Sequence, residues 1–486
     1  MAKKYVLDVG WALLSSVLAL LIVFVLRIIL ARVFLANGLG IYSMTVLILT
    51  LAMLVGALGI PAATVKYAAQ YKEREEFHSF VSCSIINSLL FGVIVSLFLF
   101  LFSPILSDIF HMPELDHLIK LISFTIPFSL GNRILLGFLN GLRKMKLYAF
   151  GNVFSKILLF ILTGIFIVIG WGIPGAVLAW VLSEIITFII LQTVTIKYFH
   201  FTTQHYIKTT KTILPFGSKL FLAESTHVLD SNIDTLMIGY FMTANDVGIY
   251  AIPIALATGL LLIPGAMSTV SYPIITEYFN KKTYKSLEEI IQKSMKYSFL
   301  ILSFMSLILI LFGEDIILFL LPREFLSAYI PLVILMLALI FYGSFASVGY
   351  GFTAMDRPDI SYKVNGIAVV INFCLNVVFI PILGIVGAAI ATSTTFILRP
   401  VINFFLFEKI FKIKLNSYWF IAGMGIVVFM VVTFFILRLW INPYILKTII
   451  SLVFAYFAIF VLLKKEERKE IISVSKSLLS KKFNYF

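Results

Sequence analysis

Fourteen apolar runs punctuate the chain, near residues 10–34, 41–65, 80–104, 118–139, 148–170, 173–196, 214–241, 247–272, 297–318, 325–348, 364–380, 386–407, 417–437 and 442–463. A helix needs roughly 20 apolar residues to cross the hydrocarbon of a bilayer. At about 21 residues each, the runs take up about 60% of the chain, which leaves almost nothing for a soluble domain. Composition agrees: of 486 residues, 61% are hydrophobic and only 13% charged, where a soluble chain is near half apolar and a quarter charged. The expected fold class is an all-α polytopic membrane protein of 14 transmembrane helices. A soluble enzyme, a disordered chain and a nucleic-acid binder are excluded, despite a net charge of +14. The first run is long and holds Arg27 and Arg32, unlike a cleaved signal peptide. Cys83 and Cys374 both sit in apolar runs, so no disulfide framework is implied.

The basic residues set the expected orientation. The N-terminus, the loops 66–79, 141–147, 197–213, 273–296, 349–363 and 408–416, and the C-terminal tail hold 28 of the 38 Lys and Arg; the alternate loops hold two, Arg323 and Arg438. Positive loops stay in the cytoplasm, so both termini are expected there, in a multi-pass cell-membrane protein. The tail beyond Lys464 places Ile471, Ile472, Val474, Leu478 and Leu479 among lysines, a pattern open to an inner-leaflet helix or a solvated tail.

Two internal matches suggest a duplication. Residues 36–42 read ANGLGIY and residues 244–250 read ANDVGIY, at an offset of 208; residues 172–179 read GIPGAVLA and residues 384–391 read GIVGAAIA, at an offset of 212. The first pair lies between the first two spans of a six-span block, the second at the start of the sixth. Six is even, so both blocks enter from one side. They are therefore parallel repeats about an axis along the membrane normal. The expected organisation is a six-helix bundle over 1–204, a second over 205–412, and two extra helices plus a basic tail over 413–486. One chain then holds both halves of a transport unit, and a functional monomer is expected.

Charges within the bilayer cost on the order of 2.5–3.5 kcal/mol each near its centre, so those present need a purpose. Arg27, Arg133, Lys156 and Arg399 stand on four different spans, with Glu184 on the sixth. The seventh carries Glu224, His227, Asp230 and Asp234, which with Lys219 and Ser231 fall in an arc of about 140° at 100° per residue. Such a face meets either another helix, through ion pairs, or a wet cavity with cationic walls. Asn365, Asn372 and Asn376 share one face of the eleventh span, where an amide reaches either a sugar hydroxyl or a neighbouring helix. Pro61, Pro127, Pro264, Pro331 and Pro400 permit kinks.

Several stretches resemble a known family. Ala31-Arg32-Val33-Phe34-Leu35 through Gly40-Ile41-Tyr42, followed by Gly56-Ala57-Leu58-Gly59-Ile60, looks like the first two spans of Wzx-type polysaccharide-biosynthesis flippases of the multidrug/oligosaccharidyl-lipid/polysaccharide exporter superfamily. Asp234 leading into Leu236-Met237-Ile238-Gly239-Tyr240-Phe241, then Asp246-Val247-Gly248-Ile249-Tyr250, looks like the start of that family's second half, and Gly141-Leu142-Arg143-Lys144 also fits. One departure is Ala36-Asn37, where many relatives carry Gly-Pro. The resemblance implies two bundles around a cavity that opens alternately inward and outward. It implies a lipid-linked oligosaccharide as substrate, its phosphate met by basic residues. By position these are Arg27, Arg32, Arg133, Lys156 and Arg399.

The chemistry suits that reading. A hydrated anionic headgroup cannot cross hydrocarbon unaided, and arginine binds phosphate bidentately. Two negative charges leaving an inside-negative cell gain about 4.6 kcal/mol per 100 mV; alternatively Glu184, Glu224, His227, Asp230 or Asp234 couples H⁺ or Na⁺. No GxxxxGK[ST] motif is present, and no cofactor or metal is expected. Lipid II flippases and cation-coupled multidrug antiporters are related alternatives. A membrane glycosyltransferase or polymerase is a less favoured one, since the longest outer loop, about 105–117, is short. Its Asp108, His111, Glu114 and Asp116 read as a solvated loop.

Overall fold

The computed structural model describes residues 2–71 and 76–459, with Leu463, Lys465, Glu467 and Arg468 beyond them. The amphipathic stretch expected in the tail lies outside the described residues. Among the described residues the chain is helical and contains no strand. In order, the helices are α1 (Ala2–Ala57), α2 (Ile60–Gln70), α3 (Glu76–Ile109), α4 (Leu115–Ser123), α5 (Ile126–Gly141), α6 (Met145–Ile169), α7 (Gly172–Thr195), α8 (Tyr206–Phe241), α9 (Ala244–Leu260), α10 (Leu262–Asn280), α11 (Tyr284–Leu320), α12 (Tyr329–Ser344), α13 (Ala346–Ala354), α14 (Pro358–Leu383), α15 (Ile385–Phe411), α16 (Tyr418–Leu437) and α17 (Pro443–Phe457).

Ten helical stretches among the described residues are long and apolar enough to cross a membrane, and α4 with α5, bent by 46°, makes an eleventh if the pair is one span. In lipid every backbone N–H and C=O must find its partner internally, which is why these runs are helical. α8 is long enough at 36 residues but its polar and charged residues leave it too weakly apolar to stand among the ten. α17 is 15 residues long, short of the roughly 20 a full crossing takes.

α1 is broken at Leu35, where φ is 58° and ψ is −171°. A branched side chain is strained there, and the break removes a helical acceptor from the following turn. The structure compensates with side chains. The Ala36 N–H donates to Glu324 Oε1 at 2.6 Å, and Arg32 Nε donates to the Leu320 carbonyl at 2.6 Å.

The described chain forms two compact units. One comprises the chain up to Ala255 with Leu320–Ala328 and Asn365–Ala391; the other comprises Leu256–Phe319, Tyr329–Val364 and the chain from Thr392. In the first, Ile60, Phe80, Phe138 and Ile213 belong to a buried apolar cluster that joins α2, α3, α5 and α8. Outward faces stay apolar: Leu101 on α3 is 62% exposed. In water such a face is a liability; against lipid it is the required surface.

The two matched motifs, 36–42 and 244–250, touch within the first unit. A methyl group on Gly40 would lie 1.7 Å from the Ala244 carbonyl oxygen, and one on Gly248 would lie 1.9 Å from the Ala36 carbonyl oxygen. The contact is reciprocal, each motif's alanine carbonyl resting on the other's glycine, and only glycine permits that approach. A second backbone contact brings Gly59 to the Gly217 carbonyl, where a methyl would sit 2.0 Å away. The other matched pair shares a left-handed turn: φ is 60° at Gly172 and 61° at Gly384.

In the second unit, Arg438 pairs with Glu314 at 3.1 Å and Lys447 pairs with Asp315, fastening α16 and α17 to α11. Lys447 is only 4% exposed. Stripping one partner from a buried pair leaves a charge uncompensated. Asp315→Asn is therefore expected to cost about 3 kcal/mol, read as a lower unfolding midpoint in detergent. The double variant Asp315→Leu/Lys447→Met should recover most of the loss. A single variant that unfolds like the parent would remove this pair from the account of stability.

Candidate translocation cavity and polar network

A cavity of about 160 Å³ lies within the first unit, between both parts of α1 and helices α6 to α9. Arg27 lines it and donates from Nη1 to the Ala251 carbonyl at 2.9 Å. No carboxylate pairs with Arg27 among the described residues. Tyr42, from the first copy of the duplicated motif, also lines the cavity; its hydroxyl is buried and has no hydrogen-bond partner among the described residues. Trp180 closes the α7 side, its ring centroid 6.5 Å from that of Tyr42.

The other expected cavity cations stand elsewhere. Lys156 pairs with Glu184 at 3.8 Å, and Glu184 is held further by Asn132 Nδ2 at 2.8 Å and by the Ser155 hydroxyl at 3.2 Å. These contacts satisfy both charges and bind α5, α6 and α7 together. Arg133 meets Glu224 across α5 and α8 at a long 3.5 Å, with both side chains more than a third exposed. Arg32 is exposed at the break in α1 and holds Leu320 there. Arg399, in the second unit, is 4% exposed and lies 5.5 Å from the Tyr342 ring centroid. The structure thus places Arg27 on this cavity and leaves Arg32, Arg133, Lys156 and Arg399 off it.

The polar face of α8 is divided among several surroundings. His227 and Ser231 are exposed and Asp230 is half-buried. Asp234 is buried, accepting from the Tyr250 hydroxyl at 2.9 Å and from Asn376 Nδ2 at 2.8 Å. Asn376 Nδ2 also donates to Asn372 Oδ1 at 2.7 Å, and Asn376 Oδ1 is buried with no hydrogen-bond partner among the described residues. Asn376 is therefore tied to both Asp234 and Asn372, while Asn365, two turns before Asn372 on α14, is half-buried. The Asp234 carboxylate, the buried Asn376 Oδ1 and the Tyr250 hydroxyl are the kind of oxygen donors that hard cations take.

Tyr42 and Tyr250 end the two copies of the duplicated motif, and each has an ionic side chain nearby from the preceding helical segment. Tyr250 bonds to Asp234; Tyr42 shares its cavity with Arg27. Asp234 lies 16 residues before its tyrosine and Arg27 lies 15 before its own. At the offset of 208, Arg27 corresponds to Thr235 and Asp234 to Leu26, so the two opposite charges stand one position out of register. The sequence marks both tyrosines as repeat positions, but nothing in it distinguishes a bonded hydroxyl from a free one. Glu324 and Asn132 carry no motif, and spacing alone does not single them out. In the loop read as solvated, Asp116 accepts from the Ser103 hydroxyl at 2.7 Å and pairs with Lys120 at 2.9 Å.

Comparison with known proteins follows this geometry. The family described as polysaccharide biosynthesis protein matches residues 6–279, more than half of the chain. The chain belongs to that family. A second family, MatE, matches residues 220–378. Among relatives of this polysaccharide biosynthesis protein, the uncharacterized membrane protein MJ1068 of Methanocaldococcus jannaschii is 25% identical over 86% of the chain and 87% of its own length. The probable low-salt glycan biosynthesis flippase Agl15 of Haloferax volcanii is 27% identical over 37% of the chain; the chain thus spans only 39% of that relative's length. Among solved structures, the lipid II flippase MurJ in an inward closed conformation superposes with a TM-score of 0.70 at 18% identity, covering 93% of this chain and 98% of that one. An inward-facing multidrug resistance transporter of the MATE family gives 0.66 at 15% identity over 80% and 94%. At these identities the likeness is one of fold. Together with the apolar helices, it makes this polysaccharide biosynthesis protein a multi-pass membrane protein.

Proposed function

We propose that the chain is a flippase that carries a lipid-linked oligosaccharide across the cell membrane by alternating access, and that Arg27 receives the substrate's phosphate. The supporting observation is an arginine on an intramembrane cavity with a backbone carbonyl for its partner rather than a carboxylate. An acid there would compete with the phosphate. Arg133 lies off this cavity and is proposed as a second contact along the path, since its pairing with Glu224 is long and partly exposed.

The full topology belongs to this reading. Counting α1 twice at its break, and adding the α4–α5 pair, α8 and α17 to the ten, reaches fourteen crossings, with both termini cytoplasmic. The halves are 1–204 and 205–412, and 413–486 adds two helices. The reciprocal glycine contact and the equal φ at Gly172 and Gly384 support the duplication. In this frame the Gly40–Gly248 contact closes the outer side and the Gly59–Gly217 contact the inner side, so transport opens one at a time. At about 160 Å³, the cavity is below the 300–1,000 Å³ of ligand pockets, which suits a state closed to both sides. Asp234 with Asn372, Asn376 and Tyr250 is the proposed seat of a coupling cation, Na⁺ or H⁺. The chain acts as a transporter rather than an enzyme, and as a monomer.

The test is flipping of a polyprenyl-diphosphate glycan in proteoliposomes. A charge-assisted phosphate contact is worth about 2–3 kcal/mol, so Arg27→Ala should slow flipping roughly 30- to 100-fold, with Arg27→Lys in between. Parental rates in the alanine variant, at equal insertion, would remove the phosphate role.

A further inference from the structure

The cavity offers more than a phosphate contact. Tyr42 and Trp180 present two rings at an interplanar angle of 52°, forming an aromatic corner on the cavity wall, with Lys156 Nζ 5.4 Å from the Trp180 ring centroid. The Tyr42 hydroxyl is buried without a hydrogen-bond partner among the described residues. Such a group is destabilising until something bonds to it, and each case in a native fold calls for an explanation. Asn232, also on the cavity wall, spends its amide N–H on the Val228 carbonyl at 2.8 Å and keeps its carbonyl oxygen available. Thr235 and Ser43 line the same space.

An apolar occupant would leave these polar groups unsatisfied. A phosphate alone would use Arg27 and leave the aromatic corner empty. A ligand with an apolar C–H face and a rim of hydroxyls meets both demands: the ring face packs on an aromatic side chain, and the hydroxyls reach Tyr42, Asn232 and Thr235. In this closed state the cavity of about 160 Å³ is about the size of one that accepts benzene, so the sugar enters as the cavity opens. Arg27 on the same wall fixes which ring it is, because the sugar bonded directly to the phosphate is the one that lies beside it.

We propose that Tyr42 and Trp180 form a monosaccharide subsite that reads the first sugar of the lipid-linked substrate, the one attached to the diphosphate. This rests on the flippase reading above and adds selectivity to it. The subsite distinguishes a glycosylated carrier from the bare one, which is what export without wasteful cycling of empty carrier requires.

The experiment measures binding of two lipids to the purified full chain in detergent: a polyprenyl diphosphate, and the same lipid bearing one N-acetylhexosamine. The parent should prefer the glycosylated lipid by about tenfold. Tyr42→Phe, which removes one oxygen and keeps the ring, should cut that ratio severalfold; Trp180→Leu should bring it close to one. If Trp180→Leu fails to fold, Tyr42→Phe decides alone. A ratio near one in the parent, or a ratio unmoved by Tyr42→Phe while both lipids still bind, would overturn the subsite and leave the flippase reading standing. Failure of the parent to bind either lipid would overturn both.

Discussion

Gly40→Val and Gly248→Val are each expected to unfold the protein more easily than any change to an open helical glycine. The would-be Cβ at Gly40 lies 1.7 Å from a main-chain oxygen. Backbone has no rotamer with which to yield, so the two segments must part. Overpacking costs typically 1–3 kcal/mol and occasionally more; with main chain on both sides, about 3 kcal/mol is the expected loss. Because the contact is reciprocal, separation at one glycine also loosens the other, so the double variant should cost less than the sum of the singles. Gly164→Ala and Gly425→Ala are the controls. Nothing lies within 4 Å of a methyl at either, and alanine favours a helix over glycine by up to about 1 kcal/mol. Unfolding midpoints in detergent decide the matter; valine variants that melt with these controls would mean the contact is absent in the working protein.

Asp234→Ala should produce the second large effect. The Tyr250 hydroxyl and the Asn376 amide lose a buried carboxylate acceptor, while Asn376 Nδ2 keeps Asn372 Oδ1. A hydrogen bond to a charged group is worth about 1.5–3 kcal/mol, so the loss of the two together is roughly 3 kcal/mol after local relaxation. Asp234→Asn keeps one acceptor oxygen and should cost less. A second readout separates packing from coupling. A cation held only by the native state stabilises it by about 2.7 kcal/mol at a hundredfold excess over its Kd. Sodium should therefore raise the parent's melting midpoint above its value in a bulky organic cation, and the Asn variant should lose that response. An equal sodium response in both proteins would leave Asp234 a structural residue.

How much of this was legible beforehand depended on the residue. Helix positions follow from apolar length, because hydrocarbon forces the backbone to bond with itself. The break between the first two runs was visible, but its form was not. With Ala36-Asn37 in place of Gly-Pro, no proline stops the helix, and the chain continues through a single non-helical residue, Leu35. The polar arc on α8 is legible as a spacing, and its members meet different surroundings: His227 and Ser231 are exposed while Asp234 is buried. What each member of it meets depends on α5, α9 and α14, and a helical wheel holds no neighbours. Lys156 illustrates the same limit: its position admits either a cavity or a pair, and Glu184, Asn132 and Ser155 favour the pair. The matched motifs signalled duplication, yet only coordinates show one copy resting on the other.

The two tyrosines that close the matched motifs live in unlike company. Tyr250 is tethered to an acid that an amide also holds; Tyr42 stands beside a base and a hollow. Two stretches of nearly the same lettering therefore sit in neighbourhoods of contrary sign, and a probe of either polarity should tell one from the other.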